Sequence, residues 1–220
     1  MAKIIIFGIR DFASLAHYYL EKDTEHEVVA FCVSKNYMTS EKEFKGLPII
    51  PFEDIGKMYS PKTYKMFIPM SHRKMNCLRK SIYEKSKMMG YELISYISSK
   101  ATVFDNIVVG DNCFILENNT IQPFTKIGNN VVLWSGNHIG HHSIICDHAF
   151  FTSHVVLSGH CKVGPYSFLG VNSTIRDHIQ LGEGSLIGMS ASVIHDTEPW
   201  GVYTGVPAKK KKISSKEIKI

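Results

Sequence analysis

The feature that most constrains this chain is a bulky apolar residue that returns at every sixth position from Val103 to Val193. A period of six fits neither the 3.6-residue turn of an α-helix nor the two-residue alternation of a free-standing strand. It is typical of a parallel β-helix, in which each unit supplies one short strand and one corner of a coil. The sixteen positions are Val103, Val109, Ile115, Ile121, Ile127, Leu133, Ile139, Ile145, Phe151, Leu157, Val163, Leu169, Ile175, Leu181, Ile187 and Val193.

The neighbours of each apolar position complete the repeat. Two positions earlier the residue is mostly small, and the next residue is Gly in seven units: Gly110, Gly128, Gly140, Gly164, Gly170, Gly182 and Gly188. We expect the small residue to fit the corner, and Gly, Asn or Asp to adopt the positive-φ turn conformation. Three units close one triangular coil, so residues 18 positions apart are predicted to be vertical neighbours at about 4.8 Å.

The repeat covers only the second half of the 220 residues, so residues 1–97 must form a separate domain. A content of 44% hydrophobic and 20% charged residues is ordinary for a globular protein. No leader-like or membrane-length apolar segment is visible, so we expect a cytoplasmic protein without membrane insertion. The five cysteines show no CxxC spacing, which favours reduced, structural thiols.

The net charge of +5 is concentrated in two basic clusters. One runs from Arg73 to Lys87 on a predicted helix, and the other is Lys209 to Lys212. No aromatic platform or nucleic-acid motif accompanies them, so nucleic acid is not an expected partner. A solvated helix face or the phosphates of a nucleotide or coenzyme would account for the same charges.

The first domain begins with a pattern of strand, turn and helix. Apolar strands are predicted at Lys3 to Phe7, Val28 to Val33 and Tyr64 to Met70, with a helical pattern after Gly8. This order predicts an α/β, Rossmann-like small parallel sheet of three or four strands. The first turn lacks the glycines of GxGxxG, and no acid closes the second strand, so classical NAD binding is not expected.

Ligands of such sheets bind at the carboxyl ends of the strands. The residues that follow the predicted strands are therefore candidate substrate contacts: Gly8, Ile9, Arg10, Asp11, Ser34, Lys35, Met70 and Ser71.

Eight of the eleven histidines lie between His138 and His195. The repeat puts five of them at one position of the unit (His142, His148, His154, His160 and His178), and stacks His142, His160 and His178 in one column. His141 falls in the neighbouring column, with Gly159 one coil above it. Imidazole serves both metal binding and proton transfer, so a metal site and an acid–base site are both open at this point.

Apolar residues also occur at positions that should face outward. The candidates for an apolar outer face that would need cover include Ile144, Phe150, Val155 and Phe168, and such a face favours an oligomer.

The two halves and the segment Gly205-Val206-Pro207-Ala208-Lys209, which is GxPAK-like, resemble the two-domain left-handed β-helix nucleotide-sugar N-acetyltransferases and sialic-acid O-acetyltransferase-like enzymes. The resemblance extends over nearly the whole chain. It implies a Rossmann-like nucleotide-sugar-binding domain at 1–97, an all-β, left-handed parallel β-helix that binds acetyl-CoA at 98–198, and a tail at 199–220.

The resemblance also assigns roles to residues. His141 matches the catalytic base, and Gly159 matches the residue whose backbone N–H stabilises the oxyanion. His142 stands where the family usually has an acid, so either Asp147 or another polar group orients the base, or His142 is itself the base. The implied acetyl-CoA contacts are Gly159, Gly170, Val171, Gly188, Met189, Pro207 and Lys209.

The implied reaction is acetyl transfer from acetyl-CoA to the amine of a nucleotide-linked amino-deoxy sugar, such as a UDP- or dTDP-4-amino-4,6-dideoxyhexose, in O-antigen or polysaccharide biosynthesis. The resemblance implies a homotrimer and no metal, and acyl carrier protein is the less expected donor. The alternatives are sugar or sialic-acid O-acetylation, a metal-dependent γ-carbonic-anhydrase-like β-helix, and a noncatalytic nucleotide-sugar-binding trimer. The nucleotide and the sugar stay undetermined.

Overall fold

The structure is a computed structural model that describes residues 1–218. It divides into two compact units, of which the first comprises Met1–Ser71 and Ser81–Ile94. The second comprises His72–Lys80 and the chain from Ser95 onward. The predicted boundary at residue 97 lies near the second division, but it assigns His72–Lys80 to the other part. The last two residues of the predicted tail lie outside the described residues.

The first unit contains a five-stranded sheet. Four of its strands are parallel, in the spatial order β4-β2-β1-β5, and a short strand pairs antiparallel with β4. The strands are β1 (Lys3–Phe7), β2 (Glu27–Val33), β3 (Glu43–Phe44), β4 (Leu47–Pro51) and β5 (Tyr64–Phe67). The helices of the chain are α1 (Asp11–Asp23), α2 (Ile55–Met58) and α3 (Cys77–Met88). The inner strands are almost wholly apolar and buried, as expected for parallel strands covered on both faces.

The predicted basic helix begins later than expected. Lys74, Met75 and Asn76 have φ values of 52°, 47° and 65°, which a right-handed helix cannot contain. The helix therefore begins at Cys77, and Arg73 and Lys74 precede it. The third predicted strand is also shorter, because β5 ends at Phe67 instead of Met70.

The second unit stacks two-residue strands into three parallel sheets, each of which forms one face of a triangular coil. The first face contains β6 (Tyr96–Ile97), β9 (Phe114–Ile115), β12 (Val132–Leu133), β15 (Phe150–Phe151), β18 (Phe168–Leu169) and β21 (Leu186–Ile187). Two longer strands extend it: β23 (Gly201–Thr204), parallel to β21, and β24 (Lys209–Ser214), antiparallel to β23. The second face contains β7 (Thr102–Val103), β10 (Thr120–Ile121), β13 (His138–Ile139), β16 (Val156–Leu157), β19 (Thr174–Ile175) and β22 (Ser192–Val193). The third face contains β8 (Val108–Val109), β11 (Lys126–Ile127), β14 (Ile144–Ile145), β17 (Lys162–Val163) and β20 (Gln180–Leu181).

The six-residue frame predicted from the sequence is confirmed. Residues 18 positions apart are paired, as in Ile121 with Ile139 and Leu157 with Ile175. The apolar positions from Ile115 to Val193 are buried and form one continuous core, and the small residues two positions earlier are buried with them. Val103, which is 37% exposed, and Val109, which is partly buried, are the exceptions, because they belong to β7 and β8 at the ends of their sheets.

The expectation of positive φ is confirmed for four asparagines and two glycines of the repeat, but it is wrong for the seven glycines that follow the apolar residues. Positive φ occurs at every sixth residue from Asn112 to Ser190, three positions after the apolar residue. Its fourteen occupants are Asn112, Asn118, Phe124, Asn130, Gly136, His142, His148, His154, His160, Tyr166, Asn172, His178, Gly184 and Ser190. The seven glycines that follow the apolar residues have no positive φ. They permit close approach instead: a Cβ on Gly140 would lie 2.5 Å from the backbone nitrogen of Gly159.

This conformation explains most of the histidine enrichment. Asn, Asp and His tolerate the left-handed region better than most side chains do. Five of the eight late histidines occupy the positive-φ position, so the fold gives each of them a structural reason to be there.

The expected apolar outer face is largely covered by the chain itself. Val155 points into the core and is fully buried. Phe150 is 1% exposed, and the ring of His72 lies 5.0 Å from it and 4.8 Å from Phe168. Of the four candidates only Ile144 is exposed, so three of them do not support an oligomer.

The five cysteines are free thiols, three of them buried. None of the helices described is long and apolar enough to cross a membrane.

Candidate active site

The corner between the second and third faces carries His141 and a stack of three further histidines. His142, His160 and His178 stack in successive coils, with ring centroids 4.9 Å and 4.8 Å apart. Phe124 continues the stack at the other end, 4.6 Å from His142. The predicted column is therefore confirmed. We call this corner, with His141 and Gly159, the His141 corner.

His141 lies against Gly159 of the next coil. A Cβ on Gly159 would be 2.9 Å from both Cε1 and Nε2 of the His141 ring, so only glycine leaves room for the ring there. The backbone is fixed on both sides, since His160 donates its N–H to the carbonyl of His141 at 2.9 Å and His141 donates its own to Gln122 Oε1 at 3.0 Å. His141 is exposed, and the Cε1–Nε2 edge of its ring faces Gly159.

The backbone N–H of Gly159 has no acceptor among the described residues. The equivalent N–H groups at the next corner are occupied: Asp111 donates to Asn129 Oδ1 at 3.0 Å, and Asn129 donates to Asp147 Oδ1 at 2.8 Å. Because a backbone donor is usually paired, an unpaired N–H beside an exposed imidazole is a ready donor for a ligand oxygen. Gly140 keeps this space open by its lack of a side chain.

The group that contacts the base is His142. Nδ1 of His141 and Nδ1 of His142 are 3.0 Å apart, which makes one of them the donor and the other the acceptor. If His141 donates from Nδ1, its Nε2 carries the lone pair that a general base needs. Asp147, the alternative considered from the sequence, is bound to Asn129 in another corner and does not orient His141.

His160 is the third imidazole of this corner, with its ring 5.0 Å from that of His141. Desolvation, together with the neighbouring imidazoles of His178, His142 and His141, lowers the pKa of His160 below its ordinary value of 6.5. The stack therefore favours the neutral form of the His160 ring, as expected for like charges brought close together.

The predicted acetyl-CoA contacts lie at a different corner, between the first and second faces. We call it the Gly170 corner. A Cβ on Gly170 would be 2.5 Å from the backbone nitrogen of Met189, and one on Gly188 would be 2.9 Å from Thr204 Cγ2. Val171 and Met189 are exposed, and the N–H groups of both have no acceptor in the described part of the chain.

The GxPAK-like segment ends at the same corner. It forms the turn between β23 and β24, and its Ala208 donates its N–H to the carbonyl of Ser192 at 2.7 Å. Pro207 and Lys209 are exposed there. The structure thus brings Gly170, Val171, Gly188, Met189, Pro207 and Lys209 to one end of one corner, away from His141 and Gly159 within the same chain.

The substrate candidates of the first unit follow the carboxyl ends of its parallel strands. Gly8 to Asp11 follow β1, with Gly8 at φ 114°, and Ile9 and Arg10 lead into α1. Ser34 and Lys35 follow β2, whereas Met70 and Ser71 come three or more residues after β5 ends. Six of the eight therefore lie in loops after the strands, whereas Asp11 begins α1 and Lys35 begins a short 3-10 helix.

Lys35 is already paired. Its ammonium lies 2.9 Å from Asp54 Oδ2, and its backbone N–H donates to Glu53 Oε2 at 3.0 Å. Hydrogen bonds from Lys57 and Lys35 lower the pKa of Asp54 to about 2. The sequence places no acid at the end of β2, but Glu53 and Asp54, which follow β4, lie beside it in the structure.

Sequence reasoning missed Glu53, Gln122 and Gly140 as members of these sites. Gly140 and Gln122 could have been found from the repeat, because Gly140 precedes His141 and Gln122 lies in the adjacent coil of the frame. Glu53 could not, since only the pairing of β2 with β4 brings it to Lys35.

Comparison with known proteins supports the repeat and the fold. The family described as "Bacterial transferase hexapeptide (six repeats)" matches residues 106–141 and 124–159. Among curated proteins, an acyl-[acyl-carrier-protein]–UDP-N-acetylglucosamine O-acyltransferase from Sinorhizobium fredii is 27% identical over 114 residues, covering 49% of this chain and 42% of the relative. Its counterpart from Campylobacter concisus is 24% identical over 135 residues, covering 56% and 52%. The chain thus spans about half the length of these relatives.

Solved structures match over the whole chain. A histidine-to-asparagine variant of perosamine N-acetyltransferase from Caulobacter crescentus, in complex with CoA and GDP-perosamine, is 19% identical with a TM-score of 0.85, covering 97% of this chain and 98% of the other. The acetyltransferase domain of PglB from Neisseria gonorrhoeae, in complex with acetyl coenzyme A, is 18% identical with a TM-score of 0.81, covering 95% and 98%. WeeI from Acinetobacter baumannii is 15% identical with a TM-score of 0.80, covering 96% and 100%.

The predicted resemblance is confirmed for the repeat, which matches the family model between residues 106 and 159, and for the fold, which the chain shares with these solved acetyltransferase structures.

Proposed function

We propose that this protein transfers an acetyl group from acetyl-CoA to the amine of a nucleotide-linked amino-deoxy sugar. The observation that carries the proposal is the pairing of His141 with Gly159: an exposed imidazole whose Nε2 edge adjoins an unpaired backbone N–H. Acyl transfer needs these two groups close together, one to take a proton and one to stabilise an oxyanion.

Each group has one role in the reaction. The sugar amine attacks the thioester carbonyl carbon, and His141 Nε2 takes the proton that the nitrogen loses. The N–H of Gly159 donates to the carbonyl oxygen as it becomes negative. When the carbon–sulfur bond breaks, His141 returns the proton to the departing thiolate, so the imidazole ends neutral and CoA leaves as the thiol.

His142 is a positioning residue in this proposal. Its Nδ1 accepts the Nδ1–H of His141, which selects the tautomer with a free Nε2. A neutral imidazole stabilises the protonated base less than a carboxylate would. We therefore expect His142 to contribute orientation more than electrostatic stabilisation, with His141 the base.

The Gly170 corner supports acetyl-CoA as the donor. The N–H groups of Val171 and Met189, beside two glycines, offer backbone donors to the amides of the pantetheine arm. Lys209, which is exposed at the same corner, offers an ammonium group to the phosphates of the coenzyme. The related structures from Caulobacter crescentus and Neisseria gonorrhoeae contain CoA or acetyl-CoA.

Two corners of one chain cannot hold one short reaction centre. The second face lies between them, and an extended segment of about five residues crosses that face from one corner to the other. Such a segment spans about 16 Å. We propose that a second copy of the chain brings its Gly170 corner to the His141 corner, and that three copies close a homotrimer. The second face fits such an interface, because its outward residues carry no acid, lysine or arginine: Thr102, Thr120, His138, Val156, Thr174 and Ser192.

We further propose that the first unit is Rossmann-like and holds the nucleotide. Its parallel strands have the order 3-2-1-4 in sequence terms, which is the opening order of the doubly wound sheets. The start of α1, at Arg10 and Asp11, offers helix N-terminal amides to a diphosphate. Because Lys35 is paired with Asp54, Arg10 is the better candidate to bind the negatively charged diphosphate of the nucleotide sugar.

The test is an acetyl-CoA-dependent thiol-release assay over a panel of UDP-, dTDP-, GDP- and CMP-linked amino sugars. We expect release with at least one member, and none with the matching hydroxyl sugars. Release with hydroxyl sugars would make the protein an O-acetyltransferase, the second candidate, which the curated O-acyltransferase relatives favour. Including UDP-N-acetylglucosamine with an acyl carrier protein donor tests that reaction directly. Binding of nucleotide sugars without turnover would indicate a noncatalytic protein and overturn the proposal.

A further inference from the structure

Three imidazoles at the His141 corner face one another closely enough to share an ion. His141, His142 and His160 each offer a ring nitrogen, and these atoms lie within 4.8 Å of one another. The Nδ1 atoms of His141 and His142 are already 3.0 Å apart. In a tetrahedral zinc site with bonds of about 2.0–2.1 Å, neighbouring nitrogens are separated by about 3.3 Å. The Nδ1 pair, 3.0 Å apart, is close to that separation, and the largest separation of up to 4.8 Å requires the third ring to approach by up to about 1.5 Å.

The backbone holds the three donors while their rings stay adjustable. His142 donates its N–H to the carbonyl of Pro123, and His160 donates to that of His141, so each Cα is fixed by the coil. All three side chains are exposed. The rings of His142 and His160 are nearly parallel, with 15° between their planes, so one must tilt for both lone pairs to meet at a point. Exposed rings make such rotations readily.

The chemistry of the cluster selects the class of ion. Three neutral imidazoles with no carboxylate among them suit Zn²⁺, Ni²⁺ or Cu²⁺, whereas Mg²⁺ and Ca²⁺ require oxygen ligands. The nearest acid of the column, Asp177, lies 3.8 Å from His178 in the following coil and is not one of the three.

We propose that the His141 corner binds a divalent transition metal of the Zn²⁺ class through His141, His142 and His160, and that metal occupancy and acetyl transfer exclude each other. The first part stands on the geometry of the corner alone. The second part rests on the proposed function, because a metal on the imidazole of His141 and on that of His142 would remove the base and its positioning residue together. The metal is thus an inhibitor here and not a cofactor.

The binding experiment is calorimetric titration of the chelator-stripped full chain with ZnCl₂ alone. We expect saturable binding that His160→Asn weakens at least tenfold. Asn is the matched replacement, because Asn occupies four equivalent positive-φ positions of the same repeat. His178→Asn, in the same stack but outside the cluster, should change the affinity by less than twofold, and MgCl₂ should give no binding.

The inhibition experiment measures the acetylated product by chromatography, because the thiol of CoA would itself bind the metal. Zn²⁺ should abolish turnover in the unmodified chain, and His160→Asn should retain turnover while raising the half-inhibitory Zn²⁺ concentration at least tenfold. Equal Zn²⁺ affinity in the unmodified chain and His160→Asn would overturn the metal site. Zn²⁺ binding that depends on His160 in a protein without acetyl transfer would preserve the site and overturn the proposed function alone.

Discussion

Two corners of the β-helix share one backbone conformation and differ in what surrounds them. At the His141 corner, His160 is at φ 56°, exposed, and stacked between two other histidines. At the corner between the third and first faces, His148 is at φ 65° but buried. Its Nδ1 is 2.9 Å from the side-chain nitrogen of Asn130, and its carbonyl accepts from Arg79 at 3.0 Å. We call this second corner the Arg79 corner.

Arg79 explains the difference. Its guanidinium is fully buried and donates to the side-chain oxygen of Asn130, to that of Asn76 and to the carbonyls of His148 and Ala149. Burial lowers the pKa of Arg79 to about 9. The segment that carries it covers one corner and leaves the other bare. Identical repeat positions therefore become structural or functional according to what packs on them.

The largest effect should separate the two corners by activity. His141→Ala removes the proposed base, and general-base catalysis contributes about 10²–10⁴-fold, so we expect kcat to fall by about 10³-fold with the fold intact. His148→Asn in the Arg79 corner should leave kcat within about twofold. Steady-state kinetics with circular dichroism measures both. Near-normal turnover of His141→Ala would remove it from the mechanism.

For the free energy of unfolding we expect the larger effect at the Arg79 corner, the reverse of the pattern for activity. Arg79→Met leaves buried carbonyl acceptors without their charged donor, and we expect the free energy of unfolding to fall by about 3 kcal/mol. Arg73→Met removes an exposed charge of the same segment and should change it by less than about 0.5 kcal/mol. Urea unfolding monitored by fluorescence gives both values. Equal stabilities of the two variants would contradict the role of Arg79.

A matched pair of glycines tests the unpaired N–H of Gly159. A Cβ on Gly140 would lie 2.5 Å from the nitrogen of Gly159, and a Cβ on Gly164 would lie 2.7 Å from that of Glu183. Both Gly140→Ala and Gly164→Ala should therefore destabilise the coil by about 1–3 kcal/mol. Only Gly140→Ala should also lower kcat, by about tenfold or more, because it displaces the oxyanion donor. An equal loss of kcat in both would indicate a general packing effect.

The smallest expected effect is a change in how the free energy of unfolding depends on pH. Burial, with smaller contributions from the charges of Arg79 and Arg73, lowers the pKa of His72 below its ordinary value of 6.5. The unfolded chain then binds the proton more readily, so stability falls as the pH falls below about 6.5.

His72→Phe keeps a ring against Phe150 and Phe168 but cannot titrate. We expect a smaller loss of unfolding free energy between pH 7.5 and pH 5 than in the unmodified protein. His160 and His26, whose pKa values are also lowered, keep part of the dependence. A dependence as steep as that of the unmodified protein would show that His72 does not contribute.

Much of the candidate site could be predicted because the repeat fixes contacts by arithmetic. The frame places Gly159 over His141 and stacks His142 with His160 and His178, and the structure confirms both. The expectation of positive φ at Gly, Asn or Asp holds for the asparagines but not for the glycines that follow the apolar residues, which permit close approach instead. It also misjudged Phe150 and Val155, because the burial of an outward side chain depends on segments far away in the chain.

The sequence by itself determined the coil, its columns and the neighbours of His141, because parallel strands of constant length allow only one register. The tertiary structure decided which corner is covered, which N–H groups stay unpaired, and that His142 instead of Asp147 contacts the base. It also decided that Glu53 and Asp54, which follow β4, lie beside Lys35. The physical reason is the range of the interactions: a repeat encodes contacts between adjacent coils, whereas the packing of His72–Lys80 and the pairing of β2 with β4 join residues that no period relates.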